Sequence, residues 1–154
     1  MALEIILGSV GSDGARLGAP HRGTSTASKG LRALVVDDEP SICRLLAKAL
    51  SDLGYDTVTA QSGESALAII RAEHVDVLLL DFRIPDMRGD IIFEVAAATQ
   101  PHLVYQTLFM TGDIMEGSKA LIRACKCNYL QKPFTLDILT DALAAIAPRV
   151  KETA

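Results

Sequence analysis

Polar side chains that could carry chemistry stand where apolar runs of this sequence end. Asp37 and Asp38 follow the apolar run 34–36, Asp81 follows the run 77–80, and Thr111 and Lys132 follow two later runs. If these runs are parallel strands, their carboxyl ends share one edge of a sheet and the polar side chains meet there. Three carboxylates at one point cannot all stay ionised without a cation. Oxygen ligands without His or Cys favour a hard divalent ion, Mg²⁺ above all.

This set of groups is suited to phosphoryl transfer. A hard ion, the ammonium of Lys132 and the hydroxyl of Thr111 neutralise and position a phosphoryl group, which is most of what its transfer requires. Asp81 is then the oxygen nucleophile, and the product is an acyl phosphate.

Strand and helix patterns alternate through the chain from residue 31 onward, and they supply the elements that position this set. The run "RALVV" is typical of a strand buried on both faces, and Pro40 suits the first turn of the helix that follows it. Gly54 ends that helix, while Asp90 and Thr135 are expected to cap the third and fifth helices. Five strands alternating with five helices predict a parallel sheet covered on both sides, which is a three-layer α/β/α sandwich.

Composition limits the classes of protein that this chain can belong to. Its 154 residues, 49% of them hydrophobic, suffice for one packed domain, predicted over residues 31–150. Residues 1–30 are rich in Gly, Ser and Thr and are predicted to form a flexible tail or linker. The net charge of −4 disfavours direct binding of nucleic acid. Neither a membrane span nor a signal peptide is indicated, so a cytoplasmic protein with reduced cysteines is expected.

Four segments in order, "LVVDDEP", "VLLLDFRIPDMRG", "FMTGD" and "YLQKPF", resemble the motif set of response-regulator receiver domains of two-component signalling. The resemblance covers roughly residues 31–148. It implies a flavodoxin-like sheet with strand order 2-1-3-4-5. It also implies a phosphoacceptor signalling domain that catalyses only its own phosphorylation and dephosphorylation. The implied phosphodonor is a sensor histidine kinase or a histidine phosphotransfer protein.

Carried over residue by residue, the resemblance assigns roles to the candidate site. Asp81 accepts the phosphoryl group, and Asp38, Asp81 and the backbone carbonyl of Arg83 bind Mg²⁺. Asp37 acts through metal-bound water, and Lys132 pairs with the phosphoryl oxygens.

The resemblance also implies a conformational switch and a control on its lifetime. Thr111 swings toward the phosphoryl group and Tyr129 turns inward into the space that Thr111 leaves. Arg83 and Asp113 stand at positions that tune dephosphorylation, and slow decay is expected here. The Lys132–Pro133 peptide is cis in this family.

Two segments depart from the usual family pattern, and in one of them Arg88 stands where an acid is common. Cys125 and Cys127 stand where glycine or alanine is usual, so Asn128 is expected to take the left-handed conformation at the exit of the fourth helix.

Alternatives stay open at this stage. The chain is either a free-standing receiver or part of a hybrid sensor kinase, and its oligomeric state is not indicated. A rival is a phosphohydrolase that also forms an aspartyl phosphate, but its second acid would stand where this sequence has Arg83. The third reading is a receiver-like interaction module that is never phosphorylated.

Overall fold

A five-stranded parallel sheet forms the centre of the computed structural model, which describes residues 30–112 and 116–146. The strands are β1 (Arg32–Val36), β2 (Asp56–Ala60), β3 (Val77–Asp81), β4 (Thr107–Thr111) and β5 (Asn128–Gln131). Their order across the sheet is β2-β1-β3-β4-β5, and every neighbouring pair is parallel. The predicted strand order is therefore confirmed.

Helices follow each strand of the sheet. They are α1 (Pro40–Asp52), α2 (Gly63–Ala72), α3 (Gly89–Thr99), α4 (Glu116–Cys125) and α5 (Leu136–Ile146), with a short 3₁₀ helix at Pro101–Val104 before β4. Between β3 and α3, the two-residue strands Arg83–Ile84 and Met87–Arg88 form an antiparallel pair. We call residues 83–88 the β3–α3 hairpin.

The sheet is covered on both faces because alternate residues of its central strands are apolar on both sides. In β1, Ala33 and Val35 pack against α1 and α5, whereas Leu34 and Val36 pack against α2, α3 and α4. The four residues from Ala33 to Val36 are fully buried, as are those from Val77 to Leu80 in β3. The three-layer sandwich is thus confirmed, and β1 and β3, two of the strands that end at the candidate site, form its buried centre.

The ends of several elements test the predicted caps. Gly54 follows α1 with φ of 101°, a conformation that favours glycine. The hydroxyl of Thr135 accepts a hydrogen bond from the Ile138 amide, as expected of a cap.

Two expectations about element ends are wrong. Asp90 is not the cap of α3, because the helix begins at Gly89 and the Asp90 carboxylate instead accepts hydrogen bonds from the Arg88 guanidinium. The left-handed residue after α4 is Lys126, with φ of 60°, whereas Asn128 is already part of β5.

The Lys132–Pro133 peptide is cis, as the resemblance implied. The predicted tail, residues 1–30, lies outside the described residues except for Gly30, so the proposed domain boundary stays a prediction. Among the residues that the structure describes, no helix is long and apolar enough to cross a membrane.

Candidate functional site

The candidate site lies at the carboxyl edge of the sheet, where β1, β3, β4 and β5 end. Asp81 and Thr111 are the last residues of β3 and β4, and Asp37 and Lys132 directly follow β1 and β5. Backbone hydrogen bonds continue the parallel ladders past these ends, from the Asp37 amide to the Ala60 carbonyl and from the Lys132 amide to the Thr111 carbonyl. The site residues are therefore held by the sheet itself.

Lys132 joins two buried carboxylates. Its Nζ lies 3.0 Å from Oδ2 of Asp37 and 3.1 Å from Oδ2 of Asp81. Asp37 is fully buried and Asp81 is only 7% exposed. These charge-assisted hydrogen bonds fix the ammonium between β1 and β3, across 95 and 51 residues of sequence.

The electrostatics of this cluster favour a further cation. Burial raises the pKa of Asp81 to about 6, with Lys132 opposing the shift and the charge of Asp37 adding to it. Burial alone lowers the pKa of Lys132, but the two carboxylates outweigh it and raise that pKa overall. One ammonium thus leaves the negative charge of the cluster only partly balanced.

Three carboxylates of this cluster fit a hard divalent ion. Ligand oxygens of Asp37, Asp38 and Asp81 all lie within 4.8 Å of one another. Asp38 is exposed and therefore accessible to an ion with its waters. Asp37 already accepts hydrogen bonds on both oxygens, from the Glu39 amide at 3.0 Å and from Lys132. Asp38 is thus the most accessible of the three carboxylates, whereas Asp37 and Asp81 are both buried and share Lys132.

The β3–α3 hairpin forms one wall of the site. The amide of Arg83 donates to Oδ1 of Asp81 at 3.2 Å, and the Arg83 side chain is exposed beside a cavity of about 630 Å³. The cavity lies between the hairpin and α4, and its lining residues are Phe82, Arg83, Ile84, Pro85, Arg88, Ser118 and Leu121. The backbone of Arg83 therefore lies next to Asp81, the carboxylate with which its carbonyl was expected to bind Mg²⁺.

The two predicted switch residues lie in different surroundings. Thr111 is buried at the end of β4, whereas Tyr129 on the edge strand β5 is 38% exposed. The register pairs Thr111 with Gln131 and Phe109 with Tyr129, so the two switch residues are two residue positions apart along the sheet. Asp113, the other residue predicted to tune dephosphorylation, lies outside the described residues.

Sequence reasoning missed two contacts around the site. The thiol of Cys43 in α1 donates to the Asp37 carbonyl at 3.2 Å, and burial raises the pKa of this thiol to about 11. Asp86 in the hairpin accepts hydrogen bonds from the amides of Gly63 and Glu64, 23 and 22 residues away. The second contact is long-range, and α2 already has its own cap at Ser62, so the sequence pattern gives no signal for it.

Comparison with known proteins agrees with this architecture. The family described as the response regulator receiver domain matches residues 33–144. The sensor histidine kinase RcsC of Salmonella typhimurium is 33% identical over 131 residues, which is 84% of this chain and 14% of that protein. The probable transcriptional regulatory protein TcrX of Mycobacterium tuberculosis is 34% identical over 121 residues, 78% of this chain and 51% of that protein. The chain thus spans about half the length of TcrX and a much smaller share of the kinase.

Solved structures give the same result. A CheY-like receiver domain from Methanospirillum hungatei matches with a TM-score of 0.70 and 25% identity, over 75% of this chain and 92% of that one. The response regulator TrrA from Thermotoga maritima, solved in complex with Mg²⁺ and BeF, matches with a TM-score of 0.67 and 28% identity, over 75% of this chain and 98% of that one. With the family match covering most of the described sheet and helices, the chain belongs to the response-regulator receiver domains of two-component systems.

Proposed function

We propose that Asp81 accepts a phosphoryl group from a phosphohistidine of a partner protein, with Mg²⁺ bound by Asp38, Asp81 and the backbone carbonyl of Arg83. The observation that carries the proposal is the position of Asp81, a buried carboxylate at a strand end that is hydrogen-bonded to Lys132 and lies within 4.8 Å of two further carboxylates. In the transfer, the P–N bond of phosphohistidine breaks and a P–O bond to an Asp81 oxygen forms.

Each residue of the site has a part in this proposal. The ammonium of Lys132, already at 3.1 Å from Asp81, moves little to pair with a phosphoryl oxygen. Asp37 holds Lys132 in place through the contact between its Oδ2 and the ammonium, and it orients water. A bound Mg²⁺ supplies positive charge that offsets the charge of the transferred group and of the carboxylates.

The chain acts in this proposal as a signalling domain and not as a classical enzyme, because its own Asp81 carboxylate is the acceptor of the phosphoryl group. The phosphodonor is a sensor histidine kinase or a histidine phosphotransfer protein. A region similar to this chain occurs both in a sensor histidine kinase and in a probable transcriptional regulatory protein.

The principal test is incorporation of phosphate from acetyl phosphate with and without Mg²⁺, followed by intact-protein mass. The wild type gains one phosphoryl group in the presence of Mg²⁺, and Asp81→Asn gains none. Asp52→Asn is the matched control, because Asp52 is an exposed aspartate at the end of α1 and its loss leaves incorporation unchanged. Incorporation into Asp81→Asn at the wild-type rate would assign the phosphoacceptor elsewhere.

Mg²⁺ binding is tested separately by calorimetric titration. Asp38→Ala loses most of the affinity, because an ion that keeps several waters depends on its few carboxylate ligands. Equal binding by the wild type and Asp38→Ala contradicts the assigned ion site.

The switch is tested by amide NMR on adding beryllofluoride. Because a phosphoryl oxygen offers Thr111 a stronger hydrogen bond than a neutral partner, shifts are expected at Thr111, at Tyr129 and along α4, β5 and α5. Shifts confined to the residues around Asp81 contradict a switch.

A further inference from the structure

The β3–α3 hairpin is attached to the first turn of α2 through Asp86. Oδ1 of Asp86 accepts from the Gly63 amide at 2.8 Å, and Oδ2 accepts from the Glu64 amide at 3.1 Å. These two hydrogen bonds lower the pKa of the Asp86 carboxyl, which is thereby held as a carboxylate. An exposed residue of one loop thus provides an anchor to a helix that precedes it by more than 20 residues.

Ser62 and Asp86 together cap the start of α2, because each accepts hydrogen bonds from different amides of its first turn. The Ser65 amide donates to the Ser62 hydroxyl at 3.0 Å, and the Ala66 amide donates to the Ser62 carbonyl. The remaining amides of the first turn, those of Gly63 and Glu64, are the two that bind Asp86. Because unpaired amides at a helix start favour a negative charge, the carboxylate is well placed there.

Two close contacts show that the hairpin fits tightly between α2 and β3. A Cβ at Gly63 would lie 2.7 Å from the Cβ of Met87, and a Cβ at Gly89 would lie 2.8 Å from the Cα of Phe82. The Gly89 amide also donates to the Phe82 carbonyl at 2.8 Å. The hairpin is therefore fixed at its far end by Asp86 and at its base by the residue next to Asp81.

We infer that Asp86 is a positioning residue for the ion site: by anchoring the hairpin to α2, it fixes the Arg83 backbone carbonyl relative to Asp81. This inference rests on the proposed function, since the Arg83 carbonyl is one of the proposed Mg²⁺ ligands. The connection from Asp86 to the ion site is short. Arg83 is the first residue of the hairpin, and its amide donates to Asp81. Removal of the anchor leaves that carbonyl free to move and weakens Mg²⁺ binding although Asp86 is not a ligand.

The experiment compares Mg²⁺ affinity in three variants by calorimetry and by amide NMR titration of the metal-free protein. Asp86→Ala removes both hydrogen bonds and is expected to raise the dissociation constant by about tenfold. Asp86→Asn removes the same charge but keeps one acceptor oxygen, so a smaller loss of about threefold is expected. Ser62→Ala is the matched control, because it removes the other cap of the same helix without touching the hairpin, and its affinity stays that of the wild type.

These variants separate positioning from charge and from general stability. If Asp86→Ala and Asp86→Asn weaken binding equally, lost charge explains the effect and the inference is wrong. If Ser62→Ala weakens binding as much as Asp86→Ala, the effect is one of helix stability and the inference is again wrong. A wild type that binds no Mg²⁺ overturns the proposed ion site together with the inference. Wild-type affinity in Asp86→Ala, with binding lost in Asp38→Ala, overturns the inference alone.

Discussion

At the carboxyl edge of the sheet Lys132 reaches two buried carboxylates, whereas at the amino edge Arg32 reaches two exposed ones. The side chain of Lys132 is 13% exposed and its partners Asp37 and Asp81 are nearly inaccessible. Arg32, the first residue of β1, binds Asp56 of β2 at 2.7 Å and also binds Glu73, and the side chains of these partners are 59% and 41% exposed. The residue types are similar, but the solvent around them differs.

Under the proposed function, this difference in burial separates a functional cluster from a structural one. Exposed ion pairs contribute little to stability because water and salt screen them, and they cost little to form. Buried charges are expensive to desolvate, so clusters of buried carboxylates occur mainly at functional sites. The carboxyl edge therefore concentrates negative charge that Lys132 balances only in part, in agreement with the proposed ion site, and the amino edge joins neighbouring elements.

The amino edge contains further polar contacts of the structural kind. His74 and His102 stack with ring centroids 4.9 Å apart, and their Nε2 atoms bind the Asp76 carboxylate and the Val75 carbonyl. These contacts connect the segment before β3 to the 3₁₀ helix before β4. They support reading this edge as one that positions strands.

The largest effect on stability is expected from Lys132→Met. The change leaves Asp37 and Asp81 buried without their common cation, which lowers the free energy of unfolding by on the order of 3 kcal/mol at pH 7. Urea denaturation in metal-free buffer measures it. Lys48→Met is the control, because Lys48 forms only an exposed pair with Asp52 at 3.6 Å, and a change below about 0.5 kcal/mol is expected there. Equal effects of the two changes contradict the distinction between the edges.

Asp81→Asn is expected to act in the opposite direction and to stabilise the metal-free protein. Because the pKa of Asp81 is raised to about 6 in the folded state, the ionised carboxylate opposes folding above that pH. As the pH falls from 7 toward 5, the folded state binds a proton before the unfolded state does, so the wild type gains stability. Asn has no charge to desolvate, so at pH 7 a gain on the order of 2 kcal/mol is expected.

The measurement is a series of urea denaturations between pH 5 and pH 8 in the presence of a chelator. The stability difference between the wild type and Asp81→Asn is nearly constant above pH 7 and narrows as the pH falls through 6 toward 5. If the free energies of unfolding of the two proteins change in parallel with pH, ionisation of Asp81 does not destabilise the folded state and the prediction is wrong.

The elements and the placement of the site were predictable from the sequence because both depend on local patterns. Apolar runs that end in Asp37, Asp81 and Thr111 indicate where buried strands stop, and parallel strands bring those ends to one edge. The contacts that could not be predicted depend on tertiary geometry. Asp90 has the residue type of a helix cap, yet the nearby guanidinium of Arg88 binds its carboxylate instead.

The same limit applies to the hairpin and to the turn before β5. A carboxylate in a loop does not indicate which of several distant helix starts it meets, so Asp86 looked like an ordinary loop residue. Asn128 is a common left-handed residue, but pairing of β5 with β4 begins at Asn128 and moves the turn back to Lys126.

A smaller effect is expected when Arg32 at the amino edge is replaced by Ala. Loss of its contacts with Asp56 and Glu73, together with loss of packing by its stem, lowers the free energy of unfolding by about 1 kcal/mol. The loss is smaller at high salt, which screens the pairs. Phosphoryl incorporation from acetyl phosphate stays at the wild-type rate, because the edge that holds Asp81 is untouched. Denaturation at two salt concentrations tests the first part, and a reduced incorporation rate would show that the two edges are coupled.

The same substitution at the opposite edge, Arg83→Ala, is expected to change a rate and not the stability. Arg83 is exposed, lines the cavity between the hairpin and α4, and donates its backbone amide to Asp81, so its guanidinium can screen a phosphoryl group on Asp81 from the attack of water. Its removal is expected to speed the decay of the phosphorylated protein several-fold, which corresponds to about 1 kcal/mol in the barrier. Arg83→Lys keeps the charge without the planar fork, so it separates charge from hydrogen-bonding geometry. The decay is followed by intact-protein mass after removal of acetyl phosphate, with Arg32→Ala as the control that decays like the wild type. Unchanged decay in Arg83→Ala means that Arg83 acts at this edge only through its backbone carbonyl. Slower decay means that the side chain promotes the attack of water, and either result contradicts the prediction.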